Sequence, residues 1–282
     1  MNSSATTHQD DWPGDQETYA HGYDSALTLR QHASRTAGVQ AGWFLPFLQP
    51  GMALLDCGCG SGSITVGLAE AVTPGYITGV DISEIEIERA QERAAGAGVT
   101  NVRFATGTLY ALDYPDETFD AIFSHNVLEH LREPDRALQE MRRVLKPGGV
   151  IGIRDIDLGG HLIAPDDPSL HRWLEIYEAD WASLGGHPRI GRQLRGLLHK
   201  AGFSDVQATA SYEVYADGER LRFASHLAVS RVREADYVDR VLENGLASRE
   251  QLAAIATVWS AWPQQPDAFL GIAHGEAVAW KP

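Results

Sequence analysis

A chain of 282 residues, 44% of them hydrophobic, has enough apolar material to bury one large core or a core carrying a substantial cap. Its 23 basic residues against 38 acidic ones give a formal charge of −15, which argues against the phosphate-seeking surface of a nucleic-acid binder. Two cysteines, Cys57 and Cys59, offer neither a disulfide framework nor a second pair for a zinc site, and no metal is expected; no run approaches the ~20 apolar residues of a membrane span, and the polar, acidic start lacks the pattern of a signal peptide. The expectation is a cytoplasmic protein with no nucleic-acid or membrane partner.

In chain order, residues 1–17 read as a disordered tail, and Tyr19 to Leu48 reads as helical. A helical segment placed before the first strand can lie across the mouth of a site, so Tyr19, Tyr23, His32 and Arg35 are candidates to close over a ligand; a solvated amphipathic helix explains them equally well. Pro50-Gly51 then punctuates. Leu54-Leu55-Asp56-Cys57-Gly58-Cys59-Gly60-Ser61-Gly62-Ser63-Ile64-Thr65 is an apolar run that ends in an acid and alternating glycines before a segment able to form a helix. That is the grammar of a strand, a tight turn and a helix N-terminus, with glycine where a side chain would block a ligand's approach to the backbone. Ser63 stands where the dinucleotide fingerprint carries its third glycine, which weakens a nicotinamide or flavin reading without excluding it. Cys57 and Cys59 read most simply as small residues packed beside the strand end.

A second apolar run, Tyr76 to Val80, ends in Asp81, about twenty residues after the loop, where a carboxylate can grip a ribose diol through two hydrogen bonds. Ser83 is placed to cap the helix that follows, with Glu84 and Glu86 in its first turn. A third run, Val102 to Thr106, leads to Gly107-Thr108-Leu109, and a fourth, Phe119 to Ser124, leads to His125-Asn126-Val127-Leu128-Glu129-His130. A helix from Pro134 to Leu145 stops at Lys146-Pro147-Gly148-Gly149, and a fifth run spans Val150 to Asp155. Strands alternating with helices imply a parallel sheet with right-handed crossovers and a ligand outside the carboxyl ends of the strands, where Asp56, Asp81, Thr106 and Ser124 sit. Downstream come a helix from Pro168 to Leu184, a helix from Arg192 to Ala201, a long strand from Phe203 to Tyr215, a helical insertion from Leu221 to Trp262 with Ser248 as a cap, and a last run from Phe269 to Trp280. Trp173, Ile176, Tyr177 and Trp181 fall on neighbouring turns, as core or cap packing requires.

Residues Met52 to Asp155 resemble the core of class I S-adenosylmethionine-dependent methyltransferases, in particular the small-molecule type similar to quinone-biosynthesis methyltransferases. The resemblance is carried by Asp56-Cys57-Gly58-Cys59-Gly60-Ser61-Gly62, Gly79-Val80-Asp81-Ile82-Ser83, Tyr114-Pro115-Asp116-Glu117-Thr118-Phe119-Asp120 and Val144-Leu145-Lys146-Pro147-Gly148-Gly149, in that order and at the family's spacing. It implies an α/β, Rossmann-like doubly wound seven-stranded sheet, mostly parallel with an antiparallel last strand, plus N-terminal and inserted cap helices. It also implies one methyltransferase domain over residues 18–282, with cap helices at 18–49, a cofactor-binding core at 50–156, and a substrate-side elaboration at 157–282 that includes the helical insertion 217–266.

The implied cofactor is S-adenosylmethionine, with S-adenosylhomocysteine as product. Gly58, Cys59, Gly60 and Gly62 would let the backbone approach its methionyl part and ribose, Asp81 would take the ribose hydroxyls and Ile82 would pack on the adenine. Asp56 would orient the loop or the cofactor's amino group, and Ser124 and His125 would flank the transferred methyl. The family commonly has Gly-Asp after the third strand; here the pair is Gly107-Thr108, so the Thr108 hydroxyl or the Leu109 backbone must serve the adenine instead. A sulfonium nucleoside has no pyrophosphate, which suits the absent sixth-position glycine.

The implied chemistry is a displacement at a sulfonium methyl, in which positioning does most of the work and a base is needed only where the acceptor carries a proton. Candidate catalytic residues are His125, Glu129 and His187, while His130 is expected to be structural and to face elsewhere than His125. Arg189 and Arg192 suit either an acidic acceptor or a solvated helix start. Trp181 joins Tyr19, Tyr23, His32 and Arg35 as a candidate on the substrate side. The expected partner is an uncharged or weakly charged small organic acceptor, methylated on oxygen, nitrogen or carbon, and a homodimer stays open. The alternative is a member of the same fold that binds the cofactor but catalyses a non-methylating step such as cyclisation, or keeps it as a structural ligand. A nicotinamide oxidoreductase is disfavoured by Ser63 and by the lack of a hydride-transfer constellation.

Overall fold

The computed structural model describes residues 35–282; the expected tail and the candidates Tyr19, Tyr23 and His32 lie outside the described residues. Seven strands form one sheet in the order β3-β2-β1-β4-β5-β7-β6. Their ranges are β1 Ala53–Cys57, β2 Tyr76–Asp81, β3 Val102–Thr106, β4 Phe119–His125, β5 Leu145–Ala164, β6 Ser204–Tyr215 and β7 Phe269–Trp280. β1 pairs in parallel with β2 and β4, β4 pairs in parallel with β5, and β7 runs antiparallel between β5 and β6.

The central strands are apolar on both faces because helices cover both. All five residues of β1 are buried. Consecutive residues point to opposite faces of a strand, so Leu55 enters one cluster with Ile122, Leu138, Met141 and Ile153. Leu54 enters the other, with Phe44, Leu68, Ile77 and Phe123. The covering helices are α1 Ala37–Gln40, α2 Thr65–Val72, α3 Glu84–Gly96, α4 Pro134–Val144 and α6 Leu194–Lys200, with α5 Pro168–Ser183 starting the cap. The Ser83 hydroxyl accepts from the Glu86 N–H at the start of α3.

The cap has a core of its own. Helices α5, α7 Gly218–Arg231, α8 Ala235–Glu243 and α9 Arg249–Ala261 bury Leu170, Trp173, Tyr237, Val241, Ile255 and Trp259 together. Trp259 is wholly enclosed, edge-on to Trp173 at 4.8 Å and tilted against Trp262 at 5.0 Å. Ser248 and Gln251 close a capping box at the start of α9, satisfying two N–H groups that a helix leaves without partners. No helix among the described residues is long and apolar enough to cross a membrane.

Two expectations need correction. The continuous helix expected up to Leu48 is broken in its described part into α1 and a single 3-10 turn at Leu45–Phe47. Gly38 and Gly42 lower helix propensity there, and Pro46 lacks the N–H that an α-helix needs in its interior. The fifth strand is not six residues but twenty: it begins at Leu145 and runs to Ala164. The Lys146-to-Gly149 segment is tied to the last residues of the chain, Gly148 N–H donating to the Lys281 carbonyl and Lys281 N–H to that of Gly149. Past Asp155 the ladder with β7 continues to Ala164, with an irregularity between Asp157 and Leu162. The strand's polar stretch misled because its charges are buried in pairs. Arg154 meets Glu276, and Asp157 takes Arg192 through two contacts of 2.6 Å.

Candidate functional site

A cleft opens at the carboxyl ends of β1, β2, β3 and β4, where the sheet's strand order reverses between β1 and β4. Its floor is the glycine loop. Gly58, Gly60 and Gly62 have φ of +74°, +49° and +71°, a region that costs an L side chain about 1–2 kcal/mol. Gly58 and Gly60 line the cleft; Gly62 does not. A side chain at Gly62 would run into Ala90 and the Phe104 ring, so this glycine serves the packing of α3 and β3 against the loop rather than a ligand's approach. At Gly58 a Cβ would stand 2.3 Å from Val127, whereas at Gly60 it would meet nothing nearer than Glu86 at 4.0 Å. Gly60→Ala is therefore expected to cost about 1 kcal/mol from backbone strain alone. Gly58→Ala should cost more because Val127 must also move, and thermal denaturation of the two variants checks the order.

Asp81, at the end of β2, is locked by backbone donors: Oδ2 accepts from Gly60 N–H at 2.8 Å and Oδ1 from Ser83 N–H at 2.9 Å. One carboxylate thus joins the loop to the start of α3 and lines the cleft. Beside it Ile82 is 42% exposed, an apolar surface left open on the cleft wall with Gly107, Thr108 and Leu109. Asp56 is buried and accepts from the Thr65 hydroxyl at 2.6 Å. Burial pushes its carboxyl up to about 7, against the Thr65 hydrogen bond and with a smaller push from Asp81. Burial, then the charge of Asp56, raises both Cys57 and Cys59, so neither thiol is an activated nucleophile.

The far end of the cleft holds the expected catalytic candidates. His125 Nε2 lies 2.7 Å from Nη1 of Arg154. A guanidinium only donates, so this nitrogen accepts and the ring proton is on Nδ1. That Nδ1–H is buried without a partner among the described residues. Burial, then the charges of Arg35 and Arg154, hold the imidazole well below its ordinary pKa. His125 is a fixed neutral donor on the cleft wall, not a base.

Glu129 also lines the cleft, but both its oxygens are engaged. Oε2 takes the Ile156 N–H at 2.7 Å, and Oε1 is 3.4 Å from His130 Nε2. Behind it, Asp155 accepts from the N–H groups of Val127 and Glu129. Burial and then the Glu129 charge hold the Asp155 carboxyl well above the usual range. These contacts fix the turn after β4. The helix start expected at His130 is instead one 3-10 turn, Leu128–His130, and it brings His130 onto the same cleft wall as His125.

The remaining candidates fall elsewhere. Ser124 is wholly buried and off the cleft wall. His187 donates its backbone N–H to the Glu129 carbonyl, while its side chain faces another hollow with Arg132 and Gln193. Trp181 is buried behind His130, ring centroids 5.1 Å apart, and lines neither the cleft nor its neighbour; it supports His130. Arg189 and Arg192 are paired with Glu178 and Asp157. Arg35 does line the cleft.

Residues that no motif marked complete the site. A second cavity adjoins the cleft at Asn126, which lines both and holds a left-handed φ of 55°. Its walls are Ile156 and Leu158 of β5, Trp173 and Tyr177 of α5, Glu213 and Tyr215 of β6, Arg231 of α7, Trp259 of α9, and Ile272 and His274 of β7. The available signal was His274 itself, one of two polar residues, with Glu276, in an otherwise apolar strand.

Comparison with known proteins bears on the family and the fold. A family model described as a methyltransferase domain matches residues 48–202. An uncharacterized methyltransferase of Schizosaccharomyces pombe is 31% identical over 274 residues, covering 94% of this chain and 97% of that protein. Among solved structures, the YcgJ protein of Bacillus subtilis aligns with a TM-score of 0.58 at 21% identity over 86% of this chain and 97% of its own. The [4+2]-cyclase SpnF aligns with a TM-score of 0.53 at 23% identity, over 91% of this chain and 81% of its own. At these identities the two structures bear on the fold alone.

Proposed function

The chain belongs to the class I S-adenosylmethionine-dependent methyltransferases, and from that premise we propose how its own residues hold the cofactor and serve methyl transfer to a small organic acceptor. The observation that carries the assignment is Asp81, a carboxylate oriented by the Gly60 and Ser83 N–H groups at the end of β2. The donor set suits a sulfonium nucleoside. Asp81 offers acceptor oxygens to a vicinal diol, exposed Ile82 offers a surface for a flat ring, Gly60 leaves backbone bare, and the His125 Nδ1–H waits for an acceptor. Thr108 Oγ1 accepts from Tyr110 N–H, which turns the hydroxyl proton outward for the adenine edge.

The cofactor supplies an electrophilic methyl group; the protein supplies alignment and a dry site. Buried Leu128 and Leu131 and partly buried Val127, on the turn after β4, help keep water from the reacting end. His125, held by Arg154, orients the methionyl end by donation. Glu129 holds the turn that carries His130. The charge of −15 supports a protein without nucleic-acid partners.

Asp56 is assigned to the cofactor's ammonium group, which predicts a pH dependence. The protonated carboxyl cannot pair with the ammonium, so affinity for S-adenosylhomocysteine should rise about tenfold per pH unit up to about 7 and level off above it. The raised folded-state value also means that Asp56's stabilising contribution, full below the ordinary carboxylate range, is lost as pH climbs through about 7. Calorimetric titration from acid to neutral pH checks the binding slope, which Asp56→Asn should flatten. A flat wild-type profile would remove Asp56 from that contact. Methylation itself is tested by incubating enzyme, S-adenosylmethionine and an acceptor panel. A product one methyl group heavier, formed together with S-adenosylhomocysteine, is expected; turnover of an acceptor without S-adenosylhomocysteine would favour a non-methylating reaction.

A further inference from the structure

Resting on the reading of the first cleft as the cofactor site, we propose that the second cavity holds the methyl acceptor. Its occupant is a flat, largely apolar hydroxylated molecule whose O–H donates to Nε2 of His274.

The tautomer of His274 is set by its own strand. Nδ1 lies 3.2 Å from the Ile272 carbonyl oxygen, which only accepts, so Nδ1 carries the proton and Nε2 presents a bare lone pair. That Nε2 is buried with no partner among the described residues, on the wall of the second cavity. His125 is its opposite. The two rings lie near parallel, centroids 6.2 Å apart, yet His125 offers a donor in the cofactor cleft and His274 an acceptor in the neighbouring cavity. Burial and the adjacent Arg154 charge keep His274 neutral, so the lone pair stays available.

Two more lining residues carry buried polar atoms without partners among the described residues, the Asn126 amide oxygen and the Trp173 indole N–H. Buried polar atoms are normally satisfied, and a donor beside two acceptors around one cavity calls for an occupant bearing both kinds. Most of the remaining wall, with Leu158, Leu174, Tyr177, Leu270 and Ile272, suits an apolar, ring-containing molecule, and the charged groups on it are Glu213 and Arg231, the latter paired with Glu234. Asn126 marks where the two cavities join, which is where acceptor oxygen and methyl carbon must meet.

The step balances without a further reactant. The acceptor oxygen forms its bond to the methyl carbon as the carbon–sulfur bond breaks toward sulfur, and the hydroxyl proton leaves by way of Nε2 of His274 to the Glu213 carboxylate on the same wall. One positive charge disappears at sulfur and one negative charge at Glu213, so His274 ends neutral. Glu213 also accepts from the Tyr215 hydroxyl at 2.9 Å.

The test is calorimetry on full-length protein saturated with S-adenosylhomocysteine, using 1-naphthol and 1-methoxynaphthalene as matched probes. The wild type should prefer 1-naphthol by about tenfold, since only it can donate to a buried acceptor. This comparison needs no variant. His274→Phe should bring the two probes to within about twofold, His274→Gln should keep part of the preference, and Glu213→Gln should keep most of it. Equal affinities in the wild type, binding of neither probe, or a preference that survives His274→Phe overturns the proposal. Failure of the wild type to bind S-adenosylhomocysteine would overturn the cofactor assignment instead, so the two failures are separable.

Discussion

Asp81→Asn is expected to lower the affinity for S-adenosylhomocysteine roughly 100-fold, the loss of charge-assisted hydrogen bonds to two ribose hydroxyls. Asparagine keeps the shape but has one acceptor oxygen, so it can retain the Gly60 or the Ser83 N–H bond and must turn its NH2 toward the other donor. The substitution therefore loosens the join between loop and α3 while removing the charge. Asp81→Ala is the poorer test, because it strands both backbone donors and confounds binding with loop disorder. Calorimetry with a circular dichroism control separates the effects. An unchanged affinity would take Asp81 out of the ribose contact.

Arg154→Met should cost about 3–5 kcal/mol of stability, the penalty for leaving a buried charge without its partner. Arg154 and Glu276 both have buried side chains, and their pairing at 3.2 Å is supported by the Thr209 and Ser211 hydroxyls donating to Glu276. Burial lowers the Arg154 pKa while Glu276 raises it, as expected of a pair taken out of water together. Adding Glu276→Gln removes the stranded charge and should restore much of the loss in urea denaturation. It should not restore cofactor affinity, because His125 has still lost the donor that holds its Nε2. A double variant that recovers both properties would show that the His125 tautomer is irrelevant to binding.

Much of the fold was legible because its signals are local. A buried parallel strand is a short apolar run, a helix cap is one hydroxyl three residues before an N–H, and a tight turn is glycine; all are read within a few residues of chain. The glycine loop, Asp81 and the Gly107-to-Leu109 segment were visible for that reason, and apart from Gly62 the glycines named there stand on the cleft wall. Gly62 is the exception. Its spacing resembles a ligand-facing glycine, but Ala90 and Phe104, contributed by α3 and β3, are what require it.

The tertiary structure alone decided the rest. β5 reads as a short strand because period and polarity cannot reveal that Arg154, Asp155 and Asp157 are buried with partners brought from β7, the turn after β4 and the Arg192 segment. His125 and Glu129 look like a base and an acid in one dimension. Packing determines which of their lone pairs are already taken. The second cavity draws its walls from β5, α5, β6, α7, α9 and β7, so no window of sequence contains it. The cofactor cleft is thus written in short contiguous runs, since each of its walls follows the end of one strand. The second cavity, the proposed acceptor site, is assembled from side chains far apart in the chain, and only folding determines which of their polar atoms are left without a partner.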